Sequence, residues 1–114
     1  MILIIGGAHS GKRAYVQNVL GYAPEDMSDT LNEAPVLYHL QELLKTDAEL
    51  DRLLPQLLNK AVVICDEVGC GVTPMDKTAR EWRETVGRAC CVLAQKARCV
   101  IRVQCGIGIK IKGE

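Results

Sequence analysis

The chain has 114 residues, a length that favours one domain over residues 1–114 with a single modest core. Its 14 basic and 14 acidic residues balance, so the composition offers no strongly basic face for nucleic acid or an anionic membrane. No apolar run reaches the roughly 20 residues of a membrane-spanning helix, and no basic leader precedes the first apolar segment. We therefore expect a cytoplasmic protein with neither a nucleic-acid nor a membrane partner.

The six cysteines include no Cys-x-x-Cys pair, which is the spacing typical of zinc sites. Four of them fall in segments that predict strand or helix, and no secretory leader points to an oxidising compartment. We therefore expect free thiols, and neither disulfides nor a structural metal, at Cys65, Cys70, Cys90, Cys91, Cys99 and Cys105.

The first third of the chain predicts a strand, a helix and a loop. Ile2 to Ile5 is a continuous apolar run, which is typical of a buried strand. Ser10 to Leu20 has a composition that suits a helix, and Gly21 is a plausible stop for it. Residues 22–35 are polar and contain two prolines, so we expect a loop there.

Two leucine-rich helices are predicted between residues 35 and 58. Thr46-Asp47-Ala48-Glu49 has the form of a capping box that would begin the second helix, with Thr46 and Glu49 bonding to each other's backbone N–H. Pro55 should kink or restart that helix, because proline removes a helical hydrogen bond. The first helix would follow Pro35, a suitable first-turn residue, and bury Leu37, Leu40, Leu43 and Leu44.

Three further strands are predicted in the second half. Ala61 to Cys65 and Cys99 to Val103 are apolar runs of the buried type, whereas Ile109 to Lys112 alternates like a short edge strand. One face of that edge strand needs cover and favours self-association. This face comprises Ile107, Ile109 and Ile111.

A long helix should connect the last two buried strands. Thr73-Pro74-Met75-Asp76 resembles a helix start, with an N-cap, a first-turn proline and an acid near the positive end of the helix dipole. The order of strands and helices predicts a three-layer α/β fold with a mostly parallel sheet. The apolar face of the long helix would comprise Ala79, Trp82, Val86, Ala89, Leu93 and Ala97.

Gly6-Gly7-Ala8-His9-Ser10-Gly11-Lys12 is a phosphate-binding loop pattern placed between the first strand and the first helix. Glycines let the backbone curl so that N–H groups face phosphate oxygens, and the helix adds the positive end of its dipole. The alternative is a glycine-rich turn that binds nothing. The pattern favours a P-loop NTPase fold, in which the candidate nucleotide-binding residues are Gly6, Gly7, Ala8, His9, Ser10, Gly11, Lys12 and Arg13.

Arg13 departs from the full pattern, in which a Ser or Thr follows the lysine and binds Mg²⁺. A guanidinium has no lone pair for a cation, so it cannot replace that hydroxyl. Arg13 either contacts phosphate itself or is a solvated helix residue. We expect phosphate binding to survive this change better than chemistry, because the metal acts most strongly as charge develops in the transition state.

Asp66 and Glu67 follow the second buried strand, and ligands of open α/β sheets bind beyond the carboxyl ends of strands. Lys12, Asp66 and Glu67 are therefore the candidate catalytic residues, and Asp66 is also the candidate metal ligand. The alternative is a capping or salt-bridged pair of acids in a turn. We expect His9 to face solvent and His39 to pack on a helix or at the surface.

Several stretches of the chain together are similar to one family. They lie within residues 1–20 and 61–112, and the least common among them is Glu67-Val68-Gly69-Cys70-Gly71-Val72-Thr73-Pro74. On these stretches the chain resembles the bifunctional adenosylcobinamide kinase/adenosylcobinamide-phosphate guanylyltransferases, as a shortened and divergent member. The stretches are residues 1–12, 67–74, 80–84, 87–88 and 106–112.

The resemblance implies a RecA-like fold, a cytoplasmic setting and a homo-oligomer, with a trimer as the expected size. Members of that family use ATP or GTP to phosphorylate an alcohol group of adenosylcobinamide, and then transfer GMP through a histidine in an Arg/His-rich stretch. The implied ligands are thus ATP or GTP, Mg²⁺ and a corrinoid. Here residues 21–60 hold Arg52 as their single arginine, and Leu40-Gln41 follows His39, so we expect no guanylyltransferase activity.

Two hypotheses follow for the function. The first is an ATP- or GTP-dependent kinase-like protein of cobalamin biosynthesis, in which Asp66 or Glu67 takes over metal or base duties. The second is a non-enzymatic nucleotide- or anion-binding protein that regulates or scaffolds another enzyme. The phosphate loop is compatible with both, whereas Arg13 favours the second.

Overall fold

A six-stranded sheet forms the centre of the computed structural model, which describes residues 1–47, 49–68 and 76–113. The spatial order is β2-β3-β4-β1-β5-β6; the first five strands pair in parallel, and β6 runs antiparallel to β5. The predicted mostly parallel sheet is therefore confirmed. The strands are β1 (Ile2–Gly6), β2 (Met27–Ser28), β3 (Val36–Leu37), β4 (Val62–Asp66), β5 (Cys99–Gln104) and β6 (Ile107–Lys112).

Helices cover both faces of the sheet and complete the predicted three layers. Val16 of α1 packs on one face with Ile4 and Ile64, and α2, α3 and α4 cover the other. Within the described ranges, no helix combines the length and the apolar character required to cross a bilayer. The helices are α1 (Lys12–Asn18), a 3₁₀ helix (Pro24–Asp26), α2 (Leu40–Thr46), α3 (Leu50–Leu58) and α4 (Lys77–Lys96).

The strands β1 and β4 are central because both of their faces are apolar. Leu3 and Val63 are fully buried under α2, α3 and α4, whereas Ile4 and Ile64 are buried under α1. Continuous Val/Ile runs are typical of parallel strands that are covered on both sides. The sequence predicted both strands to within one residue.

The helix α4 buries the face that its spacing predicts. Val86, Ala89 and Leu93 are fully or almost fully buried, and Trp82 is half-buried against the same core. The helix is capped by Asp76, whose Oδ1 accepts a hydrogen bond from the N–H of Thr78 at 2.7 Å. The predicted Thr73-Pro74 start lies outside the described residues.

The segment before α2 differs from the prediction. Residues 22–35, predicted as a loop, contain the 3₁₀ helix and β2, and Leu37 lies in β3 and not in a helix. The physical reason is pairing with β4, in which Val36 lies opposite Val62 and Leu37 opposite Val63. This non-local ladder outweighs the local helical spacing of the leucines, so the helix begins only at Leu40.

The predicted capping box at Thr46 and Glu49 is wrong. Thr46 ends α2, where its hydroxyl donates to the Leu43 carbonyl, and the Glu49 side chain makes no capping hydrogen bond to α3. Instead, the Asp47 carboxylate accepts the Glu49 N–H at 3.2 Å and pairs with Arg52, and α3 begins after Glu49 without a side-chain cap. The helix α3 runs through Pro55, where a kink or restart was expected.

Cys65, Cys90, Cys91, Cys99 and Cys105 are free thiols, which confirms the prediction for these five; Cys70 lies outside the described residues. Cys65 in β4 and Cys90 in α4 form a hydrogen-bonded pair. That bond, together with burial, raises the pKa of the Cys65 thiol, so Cys65 stays protonated and behaves as a core residue.

The turn between β5 and β6 has two residues, Cys105 and Gly106, with φ of 52° and 75°. Positive φ at both positions is typical of a tight hairpin turn.

The strand β6 is an edge strand, as predicted, and its apolar face is open. Its isoleucines are exposed by 66%, 51% and 58% at Ile107, Ile109 and Ile111.

Two glycines provide a matched test of this packing. A Cβ on Gly6 would lie 2.4 Å from the Val103 carbonyl oxygen, whereas a Cβ on Gly87, in the middle of α4, would meet nothing within 4 Å. We expect Gly6→Ala to lower the free energy of unfolding by about 1–3 kcal/mol through overpacking, and Gly87→Ala to raise it by about 0.5–1 kcal/mol. Urea unfolding measures both, and equal effects of the two changes would contradict the described packing.

Candidate phosphate-binding site

The loop from Gly7 to Gly11 joins the carboxyl end of β1 to α1. His9 and Gly11 have positive φ of 60° and 88°, and the Ser10 N–H returns to the Gly7 carbonyl at 3.3 Å. The β5–β6 turn supports the loop, because the Gly106 N–H donates to the Ser10 carbonyl at 2.9 Å. A Cβ on Gly11 would lie 3.2 Å from the Gly106 Cα, so this position combines a left-handed backbone with a close neighbour.

Lys12 lies beneath the loop with a side chain that is only 6% exposed. Its Nζ donates to the Gly7 carbonyl and to Ser10 Oγ, the latter at 3.3 Å, and it lies 2.8 Å from Asp66 Oδ1. Lysine is almost never buried without such partners. The structure therefore brings together the two predicted site residues Lys12 and Asp66.

The position of Asp66 is set by β4 and by Gln41. The Asp66 N–H donates to Gln41 Oε1 at 3.0 Å, and the Gln41 carbonyl accepts the indole N–H of Trp82 at 2.7 Å. Gln41 is 4% exposed, and within the described ranges it and Lys12 are the buried polar residues. The sequence analysis did not identify Gln41 as a site residue. The available signal was a polar side chain among the leucines of a predicted helix, and the structure shows that this position is buried.

A pocket of about 480 Å³ opens over the loop. It includes most of the predicted nucleotide-binding residues and Asp66, whereas Gly6 and Gly7 do not line it. It also includes His39, for which we expected packing on a helix or a place at the surface. The lining residues are Ala8, His9, Ser10, Gly11, Lys12, Arg13, Ala14, His39, Ile64 and Asp66.

Arg13 and His39 share one neighbour, Tyr38. The guanidinium carbon of Arg13 lies 4.9 Å from the centroid of the Tyr38 ring, a cation–π arrangement. The His39 ring meets Tyr38 edge-on, also at 4.9 Å between centroids, and its backbone is left-handed with φ of 56°. Since β3 was not predicted, no pattern in the sequence placed His39 at the carboxyl edge of the sheet.

Glu67 lies apart from this pocket. Successive side chains of a strand alternate between the two faces, so Asp66 faces α1 with Ile64, whereas Glu67 follows Cys65 to the opposite face. There its carboxylate pairs with Arg102 at 2.9 Å. The structure thus does not bring the three candidate catalytic residues together, and any role of Glu67 in catalysis stays a prediction.

The described residues at the pocket supply few ligands of their own for Mg²⁺. Arg13 stands where the phosphate-loop pattern has a metal-binding hydroxyl, and the Asp66 carboxylate is occupied by Lys12. In residues 1–47, 49–68 and 76–113, no group of three or more His, Cys, Asp or Glu side chains could hold a metal ion. Mg²⁺ prefers several oxygen ligands, so the metal role of Asp66 stays an untested prediction.

Comparison with known proteins gives a partial match. Residues 28–111 match the family described as cobinamide kinase / cobinamide phosphate guanyltransferase. Two similar relatives are the bifunctional adenosylcobalamin biosynthesis proteins CobU of Escherichia coli and Salmonella typhimurium, each 43% identical over 53 residues. That segment covers 46% of this chain but only 29% of either relative.

Proposed function

Because the chain belongs to the cobinamide kinase / cobinamide phosphate guanyltransferase family, we propose that it binds the phosphates of ATP or GTP beside Lys12. The observation that carries the proposal is the buried Lys12 ammonium beneath a curled glycine-rich loop, at the floor of an open pocket. Such a loop and lysine suit the compact charge of a phosphate group. The protein would then act in cobalamin metabolism, as the names of its relatives suggest.

A kinase is the first candidate within this proposal. The terminal phosphate would contact Lys12, and the alcohol of a corrinoid acceptor would approach from the side of the pocket formed by Asp66 and His39. The Asp66 carboxylate, once released from Lys12, would accept the proton of that alcohol. This role needs no contribution from Glu67, which faces the other side of the sheet.

A non-enzymatic nucleotide- or anion-binding protein is the second candidate, and the surroundings of Arg13 favour it. Arg13 adds positive charge to the pocket wall where a kinase would place a metal ligand, and Tyr38 holds its guanidinium in place. The pocket can therefore neutralise phosphate charge through side chains. We propose that binding is strong relative to turnover, and that it depends little on Mg²⁺.

Substitutions at Lys12 and Arg13 test this proposal. Lys12→Ala should weaken triphosphate binding roughly 10- to 100-fold, because it removes a charge-assisted hydrogen bond. Arg13→Ser should make binding more dependent on Mg²⁺, since a hydroxyl returns to the metal-binding position. Calorimetry with Mg²⁺ or with EDTA measures binding, and phosphate release measures turnover.

The unmodified chain decides between the two candidates. Nucleotide binding with little or no phosphate release supports the non-enzymatic protein. Robust Mg²⁺-dependent turnover would support the kinase instead. The absence of nucleotide or phosphate binding would refute both candidates.

We also propose that the chain forms no covalent guanylyl intermediate. The sequence has two histidines, His9 and His39, and neither lies in the Arg/His-rich stretch implied by the family resemblance. Incubation with labelled GTP and Mg²⁺ should leave no acid-labile label on the protein. A label that disappears in His39→Asn would overturn this expectation.

Self-association is the expected state in solution, because the apolar face of β6 is exposed on an edge strand. Sedimentation at micromolar concentration should reveal a species larger than a monomer, with a trimer as the expected size. Ile109→Lys should weaken association, whereas Val19→Lys, which changes an apolar residue that is 61% exposed elsewhere, should not. A clean monomer of the unmodified chain would contradict the proposal.

A further inference from the structure

The Lys12 ammonium has a partner for each of its donors. An ammonium carries three protons, and Lys12 has three acceptors: the Gly7 carbonyl, Ser10 Oγ and Asp66 Oδ1. Two of these acceptors belong to the loop itself, and Asp66 provides the single negative charge of the three. A phosphate group can reach the ammonium only if at least one of these contacts is replaced.

Asp66 is held in place by the rigid part of the fold. Its backbone pairs with Gly6 in the parallel β1–β4 ladder, and its N–H is bound by Gln41 Oε1. Its carbonyl accepts the thiol of Cys65 at 3.4 Å. The main chain therefore cannot carry the carboxylate away from Lys12, and release of the ammonium requires rotation of a side chain, that of Asp66 or that of Lys12.

We propose that Asp66 is the built-in counter-ion of Lys12, that Gln41 is the positioning residue that holds it there, and that a phosphate group displaces it on binding. The carboxylate makes the buried lysine tolerable in the free protein, since an unpaired buried charge is strongly disfavoured. It also repels an entering anion. The displacement step rests on the proposed function, whereas the Lys12–Asp66 contact stands without it.

The first test needs no ligand. Pulse acetylation with acetic anhydride, read out by peptide mass spectrometry, measures the reactivity of Lys12 in the folded protein. Asp66→Asn should raise the rate at Lys12 severalfold, because the amine loses its charged partner. Asp29→Asn, the same change at an exposed carboxylate outside the pocket, should leave the rate as it is. An unchanged rate in Asp66→Asn overturns the inference.

The second test uses pyrophosphate in EDTA, with affinity measured by calorimetry. Asp66→Asn should bind roughly tenfold more tightly than the unmodified chain, because a competing negative charge is gone, and Asp29→Asn should bind equally well. Weaker or unchanged binding by Asp66→Asn, with pyrophosphate still bound by the unmodified chain, overturns displacement but leaves the proposed function intact. If neither protein binds while Lys12 becomes more reactive, the proposed function and displacement fail, and the counter-ion contact stands.

Gln41 and Trp82 separate positioning from general stability. Gln41→Met removes the acceptor of the Asp66 N–H, whereas Trp82→Phe removes the bond to the Gln41 carbonyl and alters the ring that Lys45 lies over, but keeps the Gln41 side chain. Acetylation of Lys12 should rise severalfold in Gln41→Met and stay at the native rate in Trp82→Phe, even where both variants lose stability. If Gln41→Met does not fold, Gln41→Asn is used in its place, since its side chain is one methylene shorter. Equal rates in all of these variants refute a positioning role.

Discussion

The parallel pairing of β1 with β4 is the constraint on which the rest of the site depends. Its register places Gly6 opposite Asp66, so the strand that leads into the phosphate loop and the strand that carries the carboxylate end side by side. Lys12 and Asp66 are 54 residues apart in the chain and meet at 2.8 Å for that reason. Lys12 could not be buried alone, because Asp66 supplies the opposite charge that its ammonium needs.

Local signals in the sequence were sufficient for the glycine-rich loop between β1 and α1, for β1, β4 and β5, and for the buried face of α4. Each of these carries its own signal in a continuous stretch, either as an apolar run, as a periodic face or as a glycine pattern. The period of two along β4 is a further local signal, and it separates Asp66 from Glu67 because alternate residues of a strand face opposite sides. The prediction that grouped these two acids in one catalytic set left that period out of account.

The surroundings of the pocket could not be predicted in the same way. The strands β2 and β3 have two residues each; β3 pairs with β4 and β2 pairs with β3, contacts that no local pattern contains. His39 and Gln41 owe their positions to those same contacts, one at the pocket wall and the other behind Asp66. The start of α3 is a smaller case, since Thr46 is the last residue of α2 and α3 begins after Glu49 without a side-chain cap.

The short turn of Cys105 and Gly106 links two parts of the molecule that lie far apart in the sequence. On one side it holds the Ser10 carbonyl of the phosphate loop, and on the other it begins the exposed strand β6. A second chain that covers β6 would restrict this turn, and the restriction would reach the loop through one hydrogen bond and the close packing of Gly106 on Gly11. Assembly and phosphate affinity would then be thermodynamically coupled, each changing the other by the same factor.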